Sequence, residues 1–365
     1  MNNLIQTIVM LKGKSSITTL AAVFTILLIL TGAQSDDTGD AICDDRSGLR
    51  IMFYNVENLF DIVDDPFTGD NEFTPEGQMH WTEKRFRAKL NRLYQVIVAS
   101  GGWEPPGMIA FAEVENRFVL DQLFTATPLL KYRFEIIHRD SPDQRGIDVA
   151  LAYRPGRLIK ISEKFFRIDY ADETILQTRD ILYCTFRVDL KDTIHVFVNH
   201  WPSRSGGQLS SERNRFYVAS VLKSKTDSLF KQDERTKIII LGDFNDQPDN
   251  RSLQKVLQAG FLDSIPEPGQ LYNLSCCKPK ETGCGTHKYG SNWSVFDQVI
   301  VSGNLLQKDR IYLLPDAYTI FNPPFLLEPD DKYLGNKPYR TYVGYKYHGG
   351  YSDHLPVYAD LKFSP

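Results

Sequence analysis

Cysteine is scarce in this chain of 365 residues: there are five, an odd number. So few thiols exclude a disulfide-built scaffold, and a chain of this length buries a core without such staples. An excess of one charge is lacking too. Lys and Arg number 42 against 46 Asp and Glu, a formal net charge of −4, and like charges gather in no block. That balance excludes a global electrostatic grip on long nucleic acid, which needs a basic surface to displace counterions, and leaves room for a local basic cleft. Neither an internal repeat at a solenoid period nor a Pro/Gly/Ser linker beyond residue 45 is present. A repeat array is thereby excluded, and one catalytic-size domain is the economical reading of residues 49–365.

What is present describes a folded protein, with 42% hydrophobic and 24% charged residues. The amino terminus stands apart from it. Lys12 and Lys14 precede an apolar run from Thr18 to Leu30, and Thr31, Gly32 and Ala33 then give way to the polar Gln34. This pattern reads as a signal peptide over residues 1–33, followed by a polar leader over 34–48. The apolar run is shorter than the ~20 residues a spanning helix needs. Export to a periplasm or the exterior is therefore expected over anchoring by residues 17–32. In that oxidising setting Cys276 or Cys277 could close a short loop with Cys284, while reduced thiols, Cys43 and Cys184 included, are the alternative.

Runs rich in Val, Ile, Phe and Tyr, bounded by turn formers, predict strands at Leu49–Tyr54, Met108–Ala112, Arg133–His138, Val149–Arg154, Ile181–Leu190, Thr193–Asn199, Lys237–Leu241, Val295–Val301 and Leu355–Leu361. Helical periodicity marks Thr82–Ser100, Asn116–Phe124, Ser211–Phe230 and Ser252–Ala259. In the first of these Arg85, Lys89 and Arg92 are expected to face solvent, with Phe86, Leu90, Leu93 and Ile97 inward. The fold class is mixed α/β. Residues 310–350 have little periodicity and read as a loop-rich insertion, with Tyr342, Tyr345, Tyr347, Arg340 and Lys346 offering stacking faces and phosphate partners or simple packing.

Polar residues fall repeatedly where these strands end. Asn55 and Glu57 close the first, Glu113 the second, His200 a third, and Asp243 with Asn245 a fourth; Asp297 lies in a fifth, and Asp353 with His354 precedes the last. Such groups tend to converge on one rim of a sheet. Carboxylates and an amide with few thiols suit a hard ion, Mg²⁺ or Mn²⁺. Phosphoester hydrolysis adds an activated water and cationic groups around the phosphoryl oxygens.

The segments Ile51-Met-Phe-Tyr-Asn55-Val-Glu57-Asn58, Ala110-Phe-Ala-Glu113-Val-Glu115-Asn116, Asn199-His200-Trp-Pro-Ser, Leu241-Gly-Asp243-Phe-Asn245-Asp246 and Tyr351-Ser-Asp353-His354-Leu-Pro resemble the endonuclease/exonuclease/phosphatase superfamily, in order, from about Arg50 to Leu361. The resemblance implies a four-layer sandwich, two stacked mixed β-sheets flanked by helices, with a metal-dependent site at one end. It implies Glu113 as the principal metal ligand, helped by Asn55, Glu57 and Asp353; Glu57 stands where other members carry Asp. Asp243 would position or deprotonate the attacking water and Asn245 hold it or the phosphate. His354 would stabilise the pentavalent phosphate, with Asp297 fixing its ring, and His200 would contact phosphate or the leaving oxygen. By the same resemblance Asp148 would orient His200, and Arg145 would face phosphate. Arg204, after the Trp-Pro-Ser turn, could do likewise.

His80, His138, His195, His287 and His348 lie outside these motifs and read as surface or packing residues, His348 standing nearest to Asp353. The expected activity is that of an exported, metal-dependent phosphoester hydrolase, first a nuclease-like phosphodiesterase acting on nucleic acid as a monomer with no protein partner. Alternatives are a phosphatase or a lipid phosphodiesterase of sphingomyelin or inositol-phosphate type, and a non-catalytic binding module on the same fold.

Overall fold

Strands whose two faces are both buried form the middle of this fold. In the computed structural model, residues 48–364 are described apart from 103, 171–176, 189–191, 205, 264 and 278–284. The expected signal peptide, all of the leader but Gly48, Cys43, Cys284 and the Cys276 and Cys277 side chains lie outside the described residues. Cys184 is a buried free thiol. Among the described residues no helix is long and apolar enough to cross a membrane.

Two seven-stranded mixed sheets form. The first contains β1 (Gly48–Leu59), β2 (Met108–Val114), β3 (Glu135–His138), β4 (Asp148–Tyr153), β14 (Ile311–Leu313), β15 (Thr319–Ile320) and β20 (Val357–Phe363), in the order β14-β20-β1-β2-β4-β3 with β15 also on β20. The second contains β5 (Leu158–Phe166), β6 (Ile181–Val188), β7 (Asp192–His200), β8 (Lys237–Asp243), β9 (Ala259–Gly260), β10 (Leu271–Asn273) and β13 (Asp297–Ser302), in the order β5-β6-β7-β8-β13-β10-β9. Three small hairpins complete the chain: β11 (His287–Tyr289) with β12 (Asn292–Ser294), β16 (Leu327–Pro329) with β17 (Asn336–Pro338), and β18 (Tyr342–Val343) with β19 (Lys346–Tyr347).

The period-two rule accounts for the layering. Along β8, Ile239 and Leu241 enter the core shared with β1 and β2, whereas Ile238 and Ile240 point the other way onto Val218 and Leu222 of the helix α3 (Gln208–Gln232). Helices α1 (Glu83–Gly101) and α2 (Arg117–Thr125) cover the first sheet through Leu90, Leu93 and Ile97 and through Val119, Leu120 and Leu123. The result is the expected four-layer sandwich. Parallel pairing of β1 with β2 and of β7 with β8 brings their carboxyl ends out on matching rims.

Several local expectations need correction. Lys89 does not face solvent: it is 1% exposed. It lies three residues after Phe86 and four before Leu93, on the stripe that turns inward. The helix expected at Ser252–Ala259 is a single wide π-type turn, Ser252–Leu257. β5 is an additional strand. The 310–350 segment is not a bare loop, because it supplies β14 and β15 to the first sheet and carries two of the hairpins. Tyr342 is packed between Phe73, Trp81 and Tyr347 and offers no open platform.

Candidate active site

β-Sheet register assembles the centre. His200 lies opposite Asp243 in the β7–β8 pair, and Asp297 lies opposite Asp243 in the β8–β13 pair. Asp243 Oδ2 stands 3.7 Å from His200 Nε2 and 3.7 Å from His354 Nε2, and accepts from Asn55 Nδ2 at 3.1 Å. Its other oxygen accepts the Asn245 backbone N–H at 2.9 Å. Asp297 Oδ2 lies 2.7 Å from His354 Nδ1, so this carboxylate fixes the ring. Ser352 pins the turn before His354 by donating to the Asn55 carbonyl at 2.7 Å and accepting the His354 N–H at 3.1 Å. Strands of both sheets therefore contribute to one centre.

The two imidazoles are driven in opposite directions. Burial opposes charge on His354, but Asp297 and Asp243 outweigh it and raise its pKa well above the usual value. Burial, with Arg179, Arg145 and His354 nearby, lowers His200 well below it. At neutral pH one ring is cationic and the other neutral. Burial pushes Asp243 up to about 6, with Asp297 adding to it and His354, the Asn245 N–H and the Asn55 amide resisting.

A β-bulge in β1 between Asn55 and Leu59 redirects the next groups. Glu57, Asn58 and, on β2, Glu113 all adopt left-handed backbone, at φ of 52°, 55° and 63°. Such conformations cost of order 1 kcal/mol each and cluster at functional sites. Glu113 Oε2 accepts the Asn58 N–H at 3.0 Å, while Oε1 stands 3.9 Å from His200 Nε2. Asn55 Oδ1 accepts the Glu57 N–H at 3.1 Å. Glu57 is spoken for: Oε1 takes Arg340 Nε at 3.0 Å and Oε2 takes the Thr341 N–H at 2.7 Å. Asp353 Oδ2 takes Arg340 Nη2 at 2.9 Å. Burial and Asp353 push Glu57 up to about 7 against Lys89 and Arg340. For Asp353 burial works the same way, but His354, Arg340, His287 and Lys89 prevail and hold it below the usual carboxylate range.

The donor chemistry fits a hard divalent ion on one side of the centre. Glu113 Oε1 accepts no hydrogen bond among the described residues, and Asn55, opposite Ala112 in the β1–β2 pair, brings an amide oxygen that accepts only the Glu57 N–H among them. Asp243, Asp297 and His354 also bring potential ligand atoms within 4.8 Å of one another, as do His287, Asp353 and His354. Glu57, expected to help hold the ion or its waters, has both oxygens bonded within the chain, to Arg340 and to the Thr341 N–H.

Three further expectations change. Asp148 does not reach His200: it accepts from Ser141 and lies 3.2 Å from the buried His138, so that ring is its partner. Arg204 is a structural pin, donating to the Asn245 carbonyl at 2.7 Å, Asn250 at 2.8 Å and Asp246 at 3.1 Å. Arg145 does come to the centre, 3.9 Å from Glu113 and bonded to Asn58, with its side chain about half exposed at 51%. Asn245 Nδ2 holds the Trp201 carbonyl at 3.0 Å, which fixes the turn after His200. His287, expected at the surface or in packing, lies against His354 with the ring centroids 4.8 Å apart and the planes tilted by 39°. Arg340 joins the centre through Glu57 and Asp353, and Lys89 stands behind it on Thr341; the Phe86-Lys89-Leu93 spacing is the sequence sign that places this charge on an inner stripe.

The sequence model of the Endonuclease/Exonuclease/phosphatase family matches residues 50–362. The chain belongs to that family. Phosphoester hydrolysis is the chemistry that unites it. Solved structures agree on the fold. The human Nocturnin catalytic domain with bound sulfate is 15% identical with a TM-score of 0.51, over 87% of this chain and 95% of that one. Mannosyl-6-phosphatase Bt3783 of Bacteroides thetaiotaomicron is 13% identical at 0.53, over 86% and 100%. TDP2 of D. rerio complexed with a single-strand DNA product is 13% identical at 0.51, over 87% and 99%. At these identities the likeness is one of fold. No curated protein sequence matches the chain.

Proposed function

We propose that this family member is an exported, divalent-metal-dependent phosphodiesterase of nuclease type. The observation that carries the reading is Asp243 set 3.7 Å from each of two imidazoles of opposite charge, one of them held by Asp297. A bound ion would be held by Glu113 and Asn55 and would supply electrophilic stabilisation of the phosphoryl oxygens. The remaining work falls to the chain. Ionised Asp243 takes the proton of an attacking water, in line with the leaving oxygen. Cationic His354 hydrogen-bonds the oxygens where charge grows, and neutral His200 faces the departing oxygen. Arg145, half exposed at the rim, offers a phosphate partner.

A second reading is monoester hydrolysis. The net charge of −4 suits a small substrate better than a duplex. Hydrolysis by the purified protein with Mg²⁺, Mn²⁺ or EDTA separates the two. The substrates are plasmid DNA, RNA, bis-p-nitrophenyl phosphate, p-nitrophenyl phosphate, sugar and inositol phosphates, and sphingomyelin. Metal-dependent cleavage of nucleic acid that vanishes in Glu113→Ala is the expected result. Turnover confined to monoesters moves the assignment to a phosphatase, and turnover of none removes the enzyme reading. Export is tested by the amino-terminal sequence of the protein recovered outside the cytoplasm, expected to begin at Gln34.

A further inference from the structure

A second set of carboxylates gathers outside the centre. The loop that follows β1 carries Asp61, Asp64, Asp65 and Asp70, and it is tied to the residue after β2 by the Asp61 N–H, which donates to Glu115 Oε2 at 2.6 Å. A recess of about 350 Å³ opens there, lined by the acids Asp61, Asp64, Asp65, Glu115, Asp140 and Asp148 and by no Lys or Arg. None of the residues of the centre lines it.

Acids that crowd together on a surface need no partner, since water screens them. Here two of them are buried, Asp70 at 2% and Glu115 at 8% exposure. Asp70 Oδ2 accepts the Asp65 N–H at 3.0 Å, but Asp70 Oδ1 is shut off from solvent with no hydrogen-bond donor. Thr68 Oγ1, on the wall of the recess, is likewise buried and unpartnered. Burial raises the Glu115 carboxyl above its usual range, and the charges of Asp61, Asp70 and Asp65 add to that against the Asp61 N–H. A buried carboxylate oxygen without a donor, among like charges, is costly unless a cation meets it.

We propose that Asp70, Glu115, Asp61, Asp65 and Thr68 form a calcium site separate from the catalytic centre. The donors on this wall are all oxygens, which selects a hard ion. They come from an irregular loop and one strand end, and Ca²⁺, which takes about six to eight oxygens in flexible geometry, suits such a set better than Mg²⁺ with its strict octahedron. The ion would clamp the loop to β2. Through that loop it would steady Arg145, because the Gly69 N–H holds the Gln144 carbonyl at 2.7 Å and Thr68 packs so closely on Gly146 that a Cβ there would stand 2.9 Å from it. The site does not depend on what the centre binds.

Binding of ⁴⁵Ca²⁺ to the whole protein by equilibrium dialysis in excess Mg²⁺, with thermal melting in Ca²⁺ and in EDTA, tests this. The wild type and Glu113→Ala are expected to bind one Ca²⁺ per chain and to melt higher with it. Asp70→Asn and Glu115→Gln are expected to bind about tenfold more weakly or not at all, because each removes ligand charge. In EDTA Asp70→Asn should melt no lower than the wild type, since it relieves the repulsion; a variant that had merely lost its fold would melt lower. No Ca²⁺ bound by the wild type, or full-strength binding in either Asp70→Asn or Glu115→Gln, overturns the proposal. So does loss of the ion in Glu113→Ala, which would place it in the centre.

Discussion

Asp243 must be ionised to accept a proton, and burial places its titration at about 6, above the usual carboxylate range. A group raised in this way is protonated below that pH and loses its function as a base there. The rate is therefore expected to fall about tenfold per pH unit below about 6 and to be level above it until another group titrates. The profile of kcat/KM between pH 4.5 and 8 checks this, and a rate unchanged down to pH 4.5 excludes Asp243 as the base. Asp243→Asn should cost about 10²–10⁴-fold in kcat. At this scale the sequence was informative where a polar residue ended an apolar strand, as at Glu113, His200 and Asp243. It was uninformative for Asp148, whose partner is decided by which ring the fold brings near. His138 precedes it on the neighbouring strand, β3 beside β4, and the sequence carries no sign of that pairing.

The segment from Tyr339 to Tyr351 shows what an element without periodicity can do. Its hydrogen bonds run to α1, to Glu57 of β1, to the Met79 and Leu326 carbonyls and back onto itself, so its shape is set by tertiary contacts and not by a local pattern. A Cβ on Gly350 would stand 2.1 Å from the Tyr339 oxygen and 2.4 Å from the Arg340 oxygen, so Gly350→Ala should force the two carbonyls apart, costing about 1–3 kcal/mol, a size typical of overpacking. Denaturant unfolding measures it, and an unchanged midpoint would show that the segment yields freely. The same distinction explains which elements were legible. β8 has both faces apolar and polar groups only at its two ends, Lys237 and Asp243, so its place in the middle of a sheet could be read. β5 is an edge strand with Lys160, Glu163 and Lys164 largely outward, and such a strand looks like a polar connection. Lys89 departs from the rule that charge lies outward because it sits on the buried stripe of α1.

At the scale of the molecule, the chain builds most of the first sheet, then the whole of the second, and then returns to finish the first with β14, β15 and β20. The centre draws on both: Asn55, Glu113 and His354 are carried by or next to the first sheet, and His200, Asp243 and Asp297 by the second. Sliding one sheet against the other would break the 3.7 Å contacts, so the apolar layer between them sets the active geometry as much as the polar residues do. β1 and β20, which begin and end the described fold, are antiparallel neighbours, with Gly48 opposite Lys362. Two ends held side by side make this fold a candidate for circular permutation. A gene that joins Phe363 to Gly48 through a short Gly/Ser linker and opens the exposed turn at Pro155–Gly156 should yield a protein that folds and keeps metal-dependent turnover within about tenfold of the parent. Loss of folding in that permutant would mean that the order of synthesis, and not only the final set of contacts, is required to lay the second sheet on the first.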